Sequence, residues 1–243
     1  MIDIHNHILY GIDDGSSSIE ESIEMVKRAY KMGYTHLIFT PHFIEGTPYN
    51  CNNRSKKIRL SVLQKKIKEI DIPIYLFVGN EVHIHDHILE NLQKKQIMTL
   101  NGSRYLLLEL PFNNRYQGLE DVIFDLTRND IIPIIAHVER YRYISEKEAK
   151  RLIDLGCLLQ GNALSLSGDY GKDAKKRLKE FLKLRMIHFI ASDAHNEKTL
   201  KELKGIEKTV KKIVRSDLMV KDLLYNNAKK IIKDEDIIRY NVK

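Results

Sequence analysis

The sequence has few of the features that stabilise small secreted domains or anchor a chain in a membrane. It contains no tryptophan and only two cysteines, Cys51 and Cys157, which are too few for a disulfide framework. No apolar run reaches the roughly 18 residues that a membrane-spanning helix needs. The charged Asp3 comes at the very start, without a basic region or an apolar core, so we expect no signal peptide and a cytoplasmic location.

Glycine-rich nucleotide-binding motifs are also absent. Neither GxGxxG nor GxxxxGK[ST] occurs, so a doubly wound nucleotide-binding sheet has no direct support. The 243 residues, 43% of them hydrophobic, contain no linker, repeat or low-complexity segment, and we expect one domain over residues 1–243. The net charge of +7 comes largely from lysines on predicted helices. This placement favours a solvated helical surface over a nucleic-acid stripe, although the excess charge would attract anionic substrates.

Short apolar strands alternate with helices along the whole chain. Seven strands are predicted, at residues 2–4, 35–40, 74–78, 105–110, 131–136, 157–160 and 187–191. The first helix runs from a capping box at Ser18 and Glu21 to Gly33, and further helices are predicted near 55–70, 86–95, 118–129, 145–155, 173–185 and 198–239, the last with a break near Ser216. Apolar strands that alternate with helices predict a parallel sheet covered on its outer side, and a single α/β barrel fits the length.

Residues that can bind metal ions follow the strands in order. His5 and His7 come first, and side chains two residues apart in a strand point to the same side. The carboxyl ends of barrel strands meet at one face, so the whole set is expected to converge there. Without a thiolate, such a set favours Mn²⁺, Fe²⁺, Zn²⁺ or Mg²⁺, and it is large enough for two or three ions. The candidate ligands are His5, His7, Asp14, His42, Glu81, Glu109, His137, Asp193 and His195.

Arg140 follows the candidate ligand His137 by three residues. Closely spaced metal ions can generate hydroxide and clamp a phosphoryl group. A guanidinium beside them could bind phosphate oxygens bidentately and stabilise charge in the transition state. The alternative for Arg140 is a structural salt bridge to Glu139 or another neighbour.

This ordered pattern resembles the PHP (polymerase and histidinol phosphatase) superfamily. Three segments are similar to the bacterial PHP-type protein-tyrosine phosphatases of capsule and exopolysaccharide operons: IDIHNHI at residues 2–8 followed by Asp13-Asp14-Gly15, AHVERY at 136–141, and ASDAHN at 191–196. The resemblance covers essentially the whole chain. It implies a distorted (β/α)7 barrel, a centre of three divalent ions that is usually associated with Mn²⁺, and a metal-bound hydroxide as nucleophile.

The resemblance also implies residue roles and a partner. Arg140 matches the family's substrate-binding arginine. The implied partner is the phosphotyrosine tail of a bacterial tyrosine kinase that regulates polysaccharide synthesis, with no membrane insertion and no nucleic acid. The implied ligand sets of the three ions are, in order, His5, His7, Glu81 and Asp193; Glu81, Glu109 and His137; and Asp14, His42 and His195.

The sequence departs from this family at one position. Relatives often carry a second arginine five residues after the last ligand histidine, where this chain has Leu200. Either Lys198 or Lys201 supplies the charge, or phosphate binding is weaker, because a lysine does not reproduce the bidentate fork of an arginine.

The sequence leaves several alternatives to a metal-dependent tyrosine phosphatase, with different support. A cysteine-dependent phosphatase is excluded, because the residues six positions after the two cysteines are Lys57 and Ala163, not arginine. A small phosphate monoester such as histidinol phosphate is the alternative substrate in the same fold. A nucleic-acid phosphodiesterase and a metal-binding scaffold without catalysis are less favoured. The remaining histidines are expected to be structural or loop residues: His36, His83, His85, His87 and His188.

Overall fold

The computed structural model describes residues 1–238, and its strands in that range pair exclusively in parallel. The strands correspond to the apolar runs of the sequence. They are β1 (Ile2–Asp3), β2 (His36–Phe39), β3 (His42–Phe43), β4 (Tyr75–Val78), β5 (Glu81–His83), β6 (Tyr105–Glu109), β7 (Ile132–Ile135), β8 (Leu158–Asn162) and β9 (Phe189–Ala191).

These strands occupy seven positions around a distorted barrel, because β3 continues β2 and β5 continues β4. One sheet has the order β1-β2-β4, and the other has the order β3-β5-β6-β7-β8-β9. The ring closes where Asn6 bridges to Ala194, with the amide of His7 donating to the carbonyl of Ala194 at 2.9 Å. All seven predicted strands are confirmed, and so is the distorted (β/α)7 barrel.

The sequence predicts that two strands end at Thr40 and Val78, but not that β3 and β5 resume them beyond Pro41 and Asn80. The distortion lies at these two breaks, Thr40-Pro41 and Gly79-Asn80. The buried Asn80 fills the gap between them: its amide donates to the carbonyl of Pro41 at 2.9 Å, and its Oδ1 accepts from the buried Lys56. The breaks are followed directly by His42 and Glu81, so they redirect both side chains toward the barrel axis.

The helices cover the outside of the barrel and close one end. The predicted final helical stretch is partly wrong, because it also breaks at 203–205 and the helix ends at Lys233; residue 239 lies outside the described range. The helices are α1 (Ile19–Lys31), α2 (Asn53–Glu69), α3 (Ile88–Gln93), α4 (Leu119–Arg128), α5 (Glu146–Asp154), α6 (Ala163–Ser167), α7 (Gly171–Lys183), α8 (Glu197–Glu202), α9 (Ile206–Val214), α10 (Asp217–Lys221) and α11 (Asn227–Lys233), with one π-helical turn between the last two.

Alternation along the strands separates the barrel interior from the outer core. On β6, Tyr105 and Leu107 belong to an inner cluster, whereas Leu106 and Leu108 pack with the surrounding helices. Ile231 of α11 joins the inner cluster and closes that end of the barrel. The next inward position on β6 is Glu109, at the opposite end, where apolar packing gives way to polar side chains.

None of the helices within residues 1–238 is both long enough and apolar enough to span a membrane.

Candidate metal centre

Four buried side chains converge at the carboxyl end of the barrel. They are His5, His7, Glu81 and Asp193, and one ligand atom from each lies within 4.8 Å of all the others. The Nε2 atoms of the two histidines are 3.4 Å apart, although β1 ends at Asp3 and the backbone around them is not a regular strand. Asn6, between them, forms a parallel bridge with Ala194, so the two histidines flank a bridged residue and lie on the same side, as predicted.

The geometry around Glu81 is that of ligands around a common point. Its Oε2 lies 3.1 Å from His5 Nε2, 3.3 Å from His7 Nε2 and 3.0 Å from His42 Nδ1. None of these contacts has hydrogen-bond geometry, and Oε2 is a buried acceptor without a hydrogen-bond partner among the described residues. A buried carboxylate oxygen without a partner is costly, whereas a shared cation would satisfy it. The donor set therefore fits a divalent ion.

A second group lies at the outer edge of the centre. Asp14 Oδ1 is 3.6 Å from His42 Nε2 and 3.5 Å from His195 Nε2. His7 belongs to this group as well and links it to the buried group. The side chain of Asp14 is half-exposed, so this group faces the mouth of the barrel.

The third group contains Glu109 and His137. His137 Nε2 lies 3.0 Å from Glu81 Oε1 and 3.7 Å from Glu109 Oε1. His42 Nδ1 also approaches this group, at 3.9 Å from Glu109 Oε2. The structure thus brings all nine predicted ligands together, and Glu81 lies between the buried group and this one.

Hydrogen bonds at the Nδ1 atoms orient three of the imidazoles. Asp13 Oδ2 accepts from His7 Nδ1 at 2.7 Å, and Gln160 Oε1 accepts from His5 Nδ1 at 3.1 Å. The backbone carbonyl of Asp193 accepts from His195 Nδ1 at 3.0 Å. In the neutral imidazole these contacts hold the proton at Nδ1 and leave the Nε2 lone pair for an ion, as in most metal-binding histidines.

The sequence analysis missed the roles of Asp13 and Gln160. Asp13 also accepts from the amides of His42, at 2.9 Å, and Gly15, at 3.1 Å. At Gly15 a Cβ atom would collide with the backbone and Cβ of His7. Each residue of the Asp13-Asp14-Gly15 motif therefore has its own role. Asp13 orients His7, Asp14 supplies a carboxylate to the centre, and Gly15 lets the backbone pass close to His7. Its acidic pair was the available signal, but a sequence does not show which of two adjacent carboxylates points inward.

The charges of the centre shift the pKa values of its ligands, so that some of them hold protons that a cation would have to displace. Burial lowers the pKa of His5, but the charges of Glu81 and Asp193 outweigh burial and raise it to about 9. Burial and the charge of Glu81 raise the pKa of Glu109 to about 8. Although burial opposes it, the histidines hold the pKa of Asp193 below its ordinary value. Protons thus balance the carboxylates of this centre, and a divalent ion would replace them.

Arg140 lies beside the centre between two aromatic rings. Its guanidinium carbon is 4.5 Å from the ring centroid of Phe112 and 4.1 Å from that of Tyr170. Its Nη1 donates to Asp193 Oδ2 at 3.2 Å. Of the alternative roles, the salt bridge to Glu139 is wrong, because that buried carboxylate accepts from Ser165 Oγ at 2.6 Å, whereas a salt bridge to another residue is present, to Asp193. The ring contacts fix the plane of the guanidinium, and nothing in the sequence pointed to either ring.

Comparison with known proteins assigns the chain to a family. A family model described as capsular polysaccharide synthesis, CpsB/CapC, matches residues 1–233. The chain belongs to the CpsB/CapC family. It is 37% identical to the tyrosine-protein phosphatase YwqE of Bacillus subtilis over 201 residues, which cover 82% of this chain and 79% of the relative. It is 36% identical to the tyrosine-protein phosphatase CpsB of Streptococcus pneumoniae over 205 residues, 81% of this chain and 83% of that relative.

A solved structure extends the CpsB/CapC match to the whole fold. One of the crystal structures of YwqE from Bacillus subtilis and CpsB from Streptococcus pneumoniae, described as unique metal-dependent tyrosine phosphatases, has a TM-score of 0.91. The sequence identity is 32%, and the match covers 100% of this chain and 98% of that one. The resemblance that the motifs indicated is therefore confirmed.

At Leu200, where the resemblance implied a second arginine, the structure buries the side chain in the core. The flanking lysines lie on α8 and face its own carboxylates. Lys201 Nζ is 3.1 Å from Glu197, and Lys198 Nζ is 4.0 Å from Glu202. Neither lysine approaches a carboxylate of the centre within 4.0 Å in the described part of the chain.

The other histidines lie outside the nine-residue centre of this CpsB/CapC chain. His85 and His87 face Glu45, with His87 Nδ1 3.1 Å from its carboxylate, and they connect the loops after β3 and β5. His36 and His188 lie at the amino ends of their strands, as predicted, and His188 Nδ1 accepts from the amide of Leu159.

Proposed function

We propose that this chain is a metal-dependent protein-tyrosine phosphatase of capsular or extracellular polysaccharide synthesis, and that residues 1–243 act as one domain. The observation that carries the proposal is the clustering of nine imidazole and carboxylate side chains, with Glu81 among them, beside an arginine held between two rings. The relatives YwqE and CpsB are tyrosine-protein phosphatases, which supports the same activity here.

The ligand sets for the proposed ions follow the three groups of the centre. His5, His7, Glu81 and Asp193 would hold one ion; Glu81, Glu109 and His137 a second; and Asp14, His42 and His195 a third. We propose Mn²⁺, with Fe²⁺, Zn²⁺ or Mg²⁺ as alternatives for this nitrogen and oxygen donor set. Bound ions would polarise the phosphoryl group and lower the pKa of a water molecule enough to make it the nucleophile, a hydroxide, at neutral pH.

The chain's own residues bind and orient the phosphate. Arg140 presents a planar guanidinium whose faces are covered by Phe112 and Tyr170, so the N–H groups at its edge that do not contact Asp193 remain for the phosphate oxygens. Its contact with Asp193 links substrate binding to the buried ligand group. In the transition state the same guanidinium stabilises the negative charge on the transferred group.

We propose that the substrate is the phosphotyrosine tail of a bacterial tyrosine kinase that regulates polysaccharide synthesis, and that the enzyme meets it in the cytoplasm. The match to a capsular polysaccharide family supports this partner. The net charge of +7 suits an anionic, phosphorylated peptide through long-range attraction.

A comparison of three substrates tests the proposal. The purified chain is assayed on a phosphotyrosine peptide, histidinol phosphate and single-stranded DNA, with Mn²⁺ and with chelator. We expect rapid, Mn²⁺-dependent phosphate release from the peptide, and loss of that activity in Glu81→Gln but not in the exposed control Glu69→Gln. Efficient cleavage of DNA together with an inert phosphopeptide would contradict the proposed function.

A further inference from the structure

A basic groove adjoins Arg140. It has a volume of about 510 Å³ and lies between the segment after β7 and the first half of α7. Its lining includes Phe112, Arg140 and Tyr170, so it is continuous with the proposed phosphate-binding arginine. The proposed function does not use the rest of this groove.

The positive charge of the groove is not balanced by the protein. Besides Arg140, its lining contains the cationic residues Arg142, Lys172 and Arg177, and among the described residues that line it Asp173 is the only carboxylate. None of the three cations has a carboxylate within 4.0 Å in the described range, whereas many other lysines and arginines of the chain do. Unbalanced cations in a concave surface attract anions.

The groove is also held in shape. Arg177 donates through Nε to the backbone carbonyl of Glu139 at 2.8 Å, which ties α7 to the segment that carries Arg140. Arg142 and Lys172 are exposed and line the same groove. Arg177 therefore anchors the groove, and the two exposed cations can contact a ligand.

We propose that Arg142 and Lys172 form a subsite for a second anionic side chain, a carboxylate or a phosphate, in the peptide that carries the phosphotyrosine. This proposal rests on the proposed function. An extended peptide rises roughly 3.3 Å per residue, so a residue one to three positions from the phosphotyrosine at Arg140 reaches the adjoining groove. The subsite selects among phosphotyrosine peptides and does not take part in the chemistry.

The test uses three peptides that differ at one position near the phosphotyrosine: glutamine, glutamate, or a second phosphotyrosine. We expect the wild type to have a kcat/KM about five- to tenfold higher for the anionic peptides than for the neutral one, mainly through KM, as expected for partly exposed ion pairs. In Arg142→Ala/Lys172→Ala this ratio should fall to about one. The glutamate and second-phosphotyrosine peptides distinguish a carboxylate ligand from a phosphate ligand.

A charge-matched variant separates the groove from general attraction. Lys65→Ala/Lys68→Ala removes the same charge from the exposed face of α2 and should keep the wild-type ratio. The proposal is overturned if the wild type shows no preference, or if both double variants lose it equally. A wild type inert on every phosphotyrosine peptide would instead overturn the proposed function itself, and the two failures are distinguishable.

Discussion

Replacing Asp13 by asparagine should weaken metal binding although Asp13 is not among the nine predicted ligands. Its Oδ2 accepts from His7 Nδ1 at 2.7 Å and from the amide of His42 at 2.9 Å. Burial opposes it, but the charge and hydrogen bond of Asp13 hold the pKa of His7 well above its ordinary value. Asparagine keeps the shape of the side chain and removes that charge, so His7 becomes a weaker base and its Nε2 a weaker ligand for a metal ion.

The expected magnitude follows from the position of Asp13 behind a ligand. Loss of such a partner typically reduces metal affinity about 10- to 100-fold, which corresponds to about 1.4 to 2.7 kcal/mol. His7 contacts both the buried group and the outer group, so the weakest-bound ion should show the effect first. The loss of affinity should be largest at high pH. At low pH protons compete with Mn²⁺ for His7, and in the variant His7 is a weaker base that binds these protons less tightly, which offsets part of the loss.

Titration of the chelator-treated protein with Mn²⁺ by calorimetry at pH 8 measures this effect. Asp154→Asn, on the exposed face of α5, is the matched control and should bind Mn²⁺ as the wild type does. At saturating Mn²⁺ the Asp13→Asn variant should regain most of its phosphatase activity. An unchanged Mn²⁺ affinity would refute the role assigned to Asp13.

Three further predictions follow from the centre. The pKa values of His5 and Glu109 are raised to about 9 and about 8, so both residues must lose protons to bind an ion. Mn²⁺ affinity should therefore rise toward pH 9, about tenfold per pH unit for each proton released. Calorimetry in buffers of different ionisation enthalpy counts the released protons, and an affinity independent of pH would contradict this prediction. Chelation should lower the melting temperature by about 5 to 10 °C if Mn²⁺ is otherwise present at about 100 times its Kd, and an unchanged melting curve would argue against ions at this centre. Arg140→Ala should reduce kcat/KM on phosphopeptide about 100- to 1,000-fold, and Arg140→Lys should recover little of it, whereas the exposed control Arg128→Ala should be unaffected.

The order of the strands was predictable because each is a short, continuous apolar run that ends in glycine, proline or a polar residue. The short strands β3 and β5 beyond two of these ends were not, because His42–Phe43 and Glu81–His83 are too short and too polar to show a strand pattern. The additional helix break near Gly205 was also not predicted, because the segments on both sides of it have helical periodicity.

The sequence by itself determined which chemistry is available. Nine imidazole and carboxylate residues at strand ends, with no thiolate, restrict the centre to divalent ions, and the local motifs specify the CpsB/CapC family. Side-chain type and order along the chain are sequence properties, so these conclusions needed no coordinates.

Only the tertiary structure decided how these residues act together. It assigned Asp13 and not Asp14 to the orientation of His7 and placed Arg140 between Phe112 and Tyr170. It also brought together the residues of the basic groove beside Arg140. Each of these relations joins residues from different elements, and their distances depend on how the barrel closes. No local pattern of apolar and polar residues encodes that closure.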